Sequence, residues 1–208
     1  RLARVTVAYA TAITGFRSGG FNAPGIPDFR AETLTNLEVG YKTVALNGSL
    51  LLNTALFAAR SKDFQYFLVD GVRLAQIISN IDRVDLNGLD IDWRWLPLRG
   101  LEIDGGLGVT DSTIKRNAAE PGSVGHHTPK SVPYKMNLGV QYGMPLSGGL
   151  EGLVRLDWEH RDRKYWHPDN QAVSPALDLL GLRVGLRGPQ DRWSVTLVGR
   201  NLTDQQYY

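Results

Sequence analysis

The sequence contains no cysteine, no long apolar run and no block of like charge, and each absence removes a class of protein. Without cysteine, the chain has neither a disulfide framework nor a thiolate metal site. No stretch reaches the roughly 18–20 consecutive apolar residues that a membrane-spanning helix needs. The 23 Lys and Arg residues nearly balance the 21 Asp and Glu residues, and the net charge of +2 gives no sign of a nucleic-acid partner.

The chain does contain alternating hydrophobicity, with a period of two. In the segment Tyr134–Met144, "YKMNLGVQYGM", every second residue is apolar and the residues between are polar or Gly. This pattern predicts a strand of about eleven residues, longer than the usual five or six of a soluble sheet. The same alternation occurs in Asn36–Thr43 and in Leu101–Thr110.

Six further segments have strand character, which brings the predicted total to about nine strands without a helix. They are Val5–Ala10, Ser49–Arg60, Leu89–Trp95, Leu150–Arg161, Leu177–Leu186 and Trp193–Leu202. Between Leu86 and Leu89 the apolar positions change phase, which predicts a β-bulge near Gly88.

The predicted connections alternate in length along the chain. Short turns built from Pro, Gly, Asn and Asp are predicted at Leu46–Gly48, Pro97–Gly100, Pro145–Gly149 and Gly188–Asp191. Long polar connections are predicted at Gly15–Glu32, Ser61–Arg73, Ser112–Pro133 and Lys164–Pro175. A meander with short turns at one end and long loops at the other is typical of an outer-membrane barrel.

Large aromatic residues lie near the predicted strand ends, where a membrane protein carries an interfacial girdle. A soluble core that these side chains fill is the alternative. The residues concerned are Trp93, Trp95, Tyr142, Trp158, Tyr165, Trp166 and Trp193.

Four blocks of the sequence resemble successive barrel segments of TonB-dependent outer-membrane receptors, in that family's order. They are Thr14–Asn22 ("TGFRSGGFN"), Ala31–Thr43 ("AETLTNLEVGYKT"), Asn80–Pro97 ("NIDRVDLNGLDIDWRWLP") and Asn201–Tyr208 ("NLTDQQYY"). The resemblance implies an all-β, antiparallel up-and-down meander, about nine strands of a 22-strand transmembrane β-barrel. Residues 1–208 are then expected to be a fragment of the barrel, without the plug, the early strands and the last strand.

The resemblance also implies active transport rather than catalysis. A scarce nutrient, most often a ferric siderophore, binds at the extracellular side, and the TonB complex acts through the missing plug. The expected location is the outer membrane of a Gram-negative bacterium, in contact with its lipid, and no cofactor or catalytic residue is expected. Haem is disfavoured, because haem receptors of the family carry a histidine that is absent from Phe16–Asn36. A passive porin-like barrel and a soluble β-sandwich binding module are the alternatives.

Charged residues are predicted to share one face of the strands, where they line a hydrated lumen. The same charges on the lipid face would cost about 2–4 kcal/mol each at the midplane. The predicted lumen residues are Glu38, Lys42, Glu102, Asp104, Arg155, Asp157, Glu159 and Arg183.

Two long loops contain the candidate ligand-binding residues. His126 and His127 suggest metal or haem ligands, although adjacent side chains in an extended loop diverge and no further ligand is evident. The segment Arg161–Asn170, "RDRKYWHPDN", places cations beside aromatic rings, which suits an anionic, catecholate-like chelate. A solvated rim is the plainer interpretation. The candidates in this segment are Arg163, Lys164, Tyr165, Trp166 and His167.

Two weaker signals complete the list of candidates. Arg17 lies in the Gly-rich "GFRSGGFN", which suits a phosphate cradle only weakly because no helix is predicted after it. Four carboxylates could form a glycosidase-like acid/base pair, but a wet barrel face explains them more economically. They are Asp90, Asp92, Glu102 and Asp104. No metal site is predicted.

Overall fold

The computed structural model describes residues 6–71 and 75–207 and consists of β-strands, turns and loops. Nine strands form one antiparallel sheet in chain order, and two short strands, β8 and β9, pair separately. The bounds are β1 Thr6–Arg17, β2 Glu32–Ala45, β3 Leu50–Asp70, β4 Ala75–Leu98, β5 Leu101–Arg116, β6 Tyr134–Pro145, β7 Glu151–Arg161, β8 Lys164–Tyr165, β9 Val173–Ser174, β10 Leu177–Arg187 and β11 Ser194–Gly199. The predicted nine-strand meander is therefore confirmed. Within the described residues, the edge strands β1 and β11 do not pair, so the sheet is open.

The sheet has a turn end and a loop end, as the connection lengths predicted. Three of the tight turns contain single 3₁₀ turns, at Leu46–Gly48, Ser147–Gly149 and Pro189–Asp191. Asn47 (φ 59°) and Gly48 (φ 92°) adopt the left-handed conformation that Asn and Gly tolerate in such turns. No helix within residues 6–71 and 75–207 is long and apolar enough to cross a membrane.

The strands at the loop end are longer than the sequence predicted. The connection predicted over Ser61–Arg73 is wrong, because β3 continues to Asp70 and pairs with β4 from Ala75 onward; Arg73 itself lies outside the described residues. In the same way β1 reaches Arg17 and β5 reaches Arg116. These extensions break the simple alternation because both of their faces are covered.

The bulge predicted near Gly88 is also wrong. Gly88 lies opposite Phe57 in an uninterrupted register, and the shift between β4 and β5 falls between Arg83 and Val84. The change of apolar phase has another cause. Val84 is fully buried in a cluster at the loop end, against which Leu86 packs, so apolar residues there occupy the face that carries charge lower in the sheet.

Strand register divides the side chains between two faces. The apolar face carries Leu37, Val39 and Tyr41 of β2, all exposed. The polar face carries Glu38 and Lys42, and cross-strand pairing places the other six predicted lumen residues on that same face. The alternation in the sequence therefore predicted the two faces correctly.

The buried core lies at the loop end rather than in the middle of the sheet. Tyr66, Ile81, Val84 and Ile114 are each at most 6% exposed. We call these four residues the upper core. Phe64, Leu68 and Leu86 pack against them.

The aromatic residues follow the girdle prediction in part. Trp93, Trp95 and Tyr142 lie on the apolar face near the turn end of β4 and β6. Trp158 lies on the same face toward the loop end of β7. Tyr165 and Trp166 depart from the prediction, because they belong to the loop after β7. Trp193 precedes β11 at the turn end.

Candidate ligand site at the loop end of the sheet

An asparagine joins the two loops that contain the sequence candidates. The Oδ1 of Asn170 accepts a hydrogen bond from the backbone N–H of His127 (2.8 Å), and its Nδ2 donates to the His127 carbonyl (2.9 Å). Asn170 has φ 57°, in the left-handed region that Asn tolerates better than most residues. The Lys130 N–H also donates to the Tyr165 carbonyl (2.6 Å). These bonds fix the β5–β6 loop against the β7–β10 loop.

The two adjacent histidines have different partners. The Nδ1 of His126 lies 2.9 Å from the Pro168 carbonyl oxygen, so it is Nδ1 that carries a proton and donates. The His127 ring stacks on Tyr165, with ring centroids 5.7 Å apart and planes 5° apart. Within residues 6–71 and 75–207, no group of three or more His, Asp or Glu side chains is arranged to hold a metal ion.

Lys130, Lys164, Phe67 and Trp166 form what we call the cation–aromatic cluster. The Lys164 Nζ lies 4.3 Å from the centre of the Trp166 ring, and the Lys130 Nζ lies 5.7 Å from it. Lys130 also lies 4.8 Å from the centre of the Phe67 ring. Both rings remain more than a third exposed, so each keeps surface that a ligand can contact. Three connections meet here, because Phe67 belongs to the β3–β4 hairpin.

Positive charge is concentrated at this cluster. Burial lowers the pKa of Lys164, and the nearby charges of Arg161 and Lys130 lower it further. Arg161, at the end of β7, has a buried Nε for which the described residues provide no hydrogen-bond partner. A buried donor without a partner costs about 1–3 kcal/mol, and an anion beside Arg161 would remove that cost. The arrangement therefore suits a flat, negatively charged ligand.

The remaining candidates lie around or outside the cluster. The Trp166 Nε1 donates to Ser174 Oγ (2.8 Å), which holds the indole in place. Arg163 is exposed, and its Nε lies 3.8 Å from Asp162 Oδ1. For His167 the described contacts run through its backbone carbonyl, to Asn170. Arg17, at the end of β1, lies 3.7 Å from Glu32 rather than in the cluster.

Phe67, Lys130, Arg161 and Asn170 were not among the sequence candidates. Phe67 was assigned to a polar loop, and Lys130 lies three residues after His127 without any local signal of its own. Their importance comes from contacts between residues distant in the chain. The "HHTPK" and "RKYW" segments each combine cations and aromatic rings, and only the composition of both loops together could have suggested the pairing.

The Gly-rich segment after β1 holds the β3–β4 hairpin. The side-chain amide of Asn22 donates to the Ile78 carbonyl (2.9 Å) and accepts from the Ile78 N–H (3.0 Å). A Cβ on Gly20 would lie 2.7 Å from the Phe29 ring, so the close approach requires Gly. Nearby, Arg30 binds Asp63 and Asp82. The segment therefore has a structural role in the loops.

The carboxylates that could have formed an acid/base pair are engaged by arginines. Glu102 receives two hydrogen bonds from Arg94 (2.7 and 2.8 Å). Asp104 receives two from Arg155 (2.7 and 3.0 Å). Bidentate pairing of this kind keeps both carboxylates ionised and supports the interpretation as a wet barrel face.

Residues 3–202 match the family model for the β-barrel of TonB-dependent receptor-like proteins. The chain belongs to this family. Three solved structures share the fold: the ferric yersiniabactin uptake receptor FyuA of Yersinia pestis (TM-score 0.78, 21% identity), the ferric preacinetobactin receptor BauA of Acinetobacter baumannii (0.73, 18%) and the copper transporter OprC (0.69, 14%). Our chain is covered over 96%, 96% and 98% of its length, and theirs over 30%, 30% and 32%.

Membership of the TonB-dependent receptor family gives the two faces and the two ends their meaning. The family's barrels lie in the outer membrane of Gram-negative bacteria, and this chain is an outer-membrane barrel sequence. The apolar face therefore meets lipid, the polar face meets the lumen, and the loop end is extracellular. The family consists of transport receptors rather than enzymes. The chain spans about 30% of the length of FyuA and BauA.

Proposed function

We propose that this chain forms part of the barrel wall of a receptor that imports an anionic iron chelate, most plausibly a ferric siderophore, with energy from the TonB complex. In this proposal it supplies about nine of 22 strands, and the TonB complex acts through a plug domain. FyuA and BauA, which carry ferric siderophores, support the proposal by their fold alone. OprC, a copper transporter, has the same fold, so the ligand must be argued from this chain's own residues.

The observation that carries the proposal is the cation–aromatic cluster together with Arg161. Lys130 and Lys164 lie over rings whose surfaces stay partly open, and Arg161 has a buried donor lacking a partner in the described part of the chain. A catecholate-type ferric chelate combines planar rings with negative charge, and both features find partners here. Charge-assisted hydrogen bonds to such a ligand are worth about 1.5–3 kcal/mol each.

The binding test uses the purified full-length receptor and a ferric tris-catecholate complex as the probe. We expect the double variant Lys130→Gln/Lys164→Gln to raise Kd about 30-fold or more, since it removes two charge-assisted contacts. The matched control is Lys62→Gln/Arg116→Gln, which removes two cations at the same end of the barrel from the opposite face. Equal affinities for the Lys130/Lys164 variant and the unaltered receptor would exclude the cluster as the site.

The pH dependence of the same binding provides a second measurement. Because burial and like charge lower the pKa of Lys164, the ammonium loses its proton below the ordinary Lys range. Affinity for the anionic probe should fall as pH rises through that lowered pKa. Lys164→Arg should move the fall to higher pH, because arginine stays protonated. Uptake of the probe by cells that lack TonB would instead favour a passive porin-like barrel.

A further inference from the structure

A row of cations crosses three strands at the extracellular end of the lipid-facing surface. Lys62 of β3 pairs with Arg83 of β4, and Arg83 pairs with Arg116 of β5. Lys62 follows Leu56 with unbroken alternation in the β3–β4 register, so it projects from the apolar face. Cross-strand partners share a face. All three cations therefore project outward rather than into the lumen.

The height of the row matches the thickness of the membrane. Trp93 marks the turn end of the apolar face on β4, and Arg83 lies ten residues away on the same face. At about 3.3 Å per residue and a strand tilt of about 40°, this separation corresponds to roughly 25 Å along the membrane normal. That value equals the usual height of the apolar band of an outer-membrane barrel. The row therefore lies at the level of the outer-leaflet headgroups.

The row has more positive than negative charge. Asp85, one residue pair closer to the lipid, binds both Arg60 (3.1 Å) and Arg83 (2.7 Å). Lys62 and Arg116 are exposed, and the described part of the chain gives neither an ion pair. Asp111, opposite Asn87, is a further carboxylate on this face. Two carboxylates thus face four cations.

The neighbouring sector of the wall lacks this row. On β6 and β7 the corresponding extracellular positions of the apolar face carry Tyr134, Trp158 and His160, whose rings lie within 6.0 Å of one another in sequence along the cluster. Such aromatic side chains are the usual girdle of a membrane interface. The cationic row is therefore a local property of β3–β5 and not a general feature of this barrel rim.

We propose that Lys62, Arg83 and Arg116 bind the phosphate groups of a phosphorylated glycolipid in the outer leaflet. Arginine binds phosphate oxygens in a bidentate manner, and lysine adds a mobile point charge. Lipid tails packed against Leu56 and Leu89 below the row hold the phosphates at this height. The inference concerns the outer surface and stands apart from the ligand transported through the lumen.

The test uses the full-length receptor in phosphatidylcholine nanodiscs that contain a small fraction of lipid A. Retained lipid A is counted by native mass spectrometry after the discs are dissolved in mild detergent. The structure predicts that Lys62→Gln/Arg116→Gln retains lipid A about 25-fold less tightly at low ionic strength, because each cation at an anionic membrane surface contributes about fivefold. Lys130→Gln/Lys164→Gln, which alters the ligand cluster, is the matched control and should retain lipid A normally.

Three comparisons make the outcome decisive. The charge-preserving variant Lys62→Arg/Arg116→Lys should retain lipid A, which separates loss of charge from loss of folding. Dephosphorylated lipid A should not be retained selectively, and inorganic phosphate at equal concentration should not displace lipid A. Equal retention by Lys62→Gln/Arg116→Gln and the unaltered receptor would overturn the proposal. Complete displacement by inorganic phosphate would overturn the lipid and indicate a site for free anions.

Discussion

The membrane part and the extracellular part of strands β3–β5 use apolar residues in opposite ways. In the membrane part, Leu56 (56% exposed) and Val109 (39% exposed) project from the sheet toward lipid. In the extracellular part, Ile81, Val84 and Ile114 are fully buried against one another. The lipid solvates the first group, whereas water surrounds the second and drives its burial. One continuous strand such as β4 therefore follows two rules along its length.

This difference explains how rigid loops can stand on a barrel that has no core of its own in the membrane. The upper core anchors the β3–β4 hairpin, which carries Phe67 of the cation–aromatic cluster. The Asn22 and Arg30 contacts attach the first hairpin to the same structure. A ligand site is therefore built on a small aqueous core above the lipid rather than on mobile loop tips.

The most severe way to break the comparison is to hollow out the upper core. Ile81→Ala removes buried methylene groups from a site with no exposure and should cost about 2–5 kcal/mol locally. Hydrogen exchange of the β3–β4 hairpin amides in the full-length receptor measures this loss. Leu89→Ala on the lipid-facing part of β4 is the control, since lipid fills the space. Equal effects of the two variants would show that the two parts are not distinct.

A smaller effect concerns the ionisation of Tyr66 in the upper core. Burial, and then the charge of Glu120, raise the pKa of Tyr66 above its ordinary value. The folded state therefore favours the protonated phenol, so its contribution to stability is complete below about pH 10 and is lost as pH rises through the raised pKa. Stability of the hairpin should fall with alkaline pH in that window.

The variant Tyr66→Phe sharpens the same point. It removes the contact with Glu120 (3.4 Å), at a cost of about 1 kcal/mol below pH 10, and with it the alkaline loss of stability. Hydrogen exchange at a series of pH values, corrected for intrinsic rates, reports both effects. An unchanged alkaline profile in Tyr66→Phe would assign the transition to another group.

The sequence predicted the membrane part well because a single physical rule applies there. Alternate residues of Tyr134–Met144 face lipid and lumen, so the pattern is local and readable. The extracellular part was misjudged at Ser61–Asp70, where "SKDFQYFLVD" looks irregular because both faces of the strand are covered. The cluster of Phe67, Lys130 and Lys164 depends on contacts between three connections, which no local pattern records.

The residues missed near the site share one feature. Asn170 and Lys130 act through backbone contacts between loops, and their left-handed conformations are visible only in the fold. Arg161 became a candidate because its Nε is buried without a partner in the part of the chain that the structure describes. Histidine pairs and Gly-rich turns attract attention in a sequence, yet here they contribute mainly to loop structure.

The central claim is that alternate residues of these strands face lipid and lumen. Since the chain has no cysteine, single-cysteine labelling along Asn36–Lys42 of the full-length receptor in bilayers reads each position separately. A spin label should be reached by lipid-soluble oxygen at positions 37, 39 and 41, and by a water-soluble nickel reagent at positions 36, 38, 40 and 42. Uniform accessibility of all seven positions to the water-soluble reagent would contradict a transmembrane wall and favour a soluble sheet.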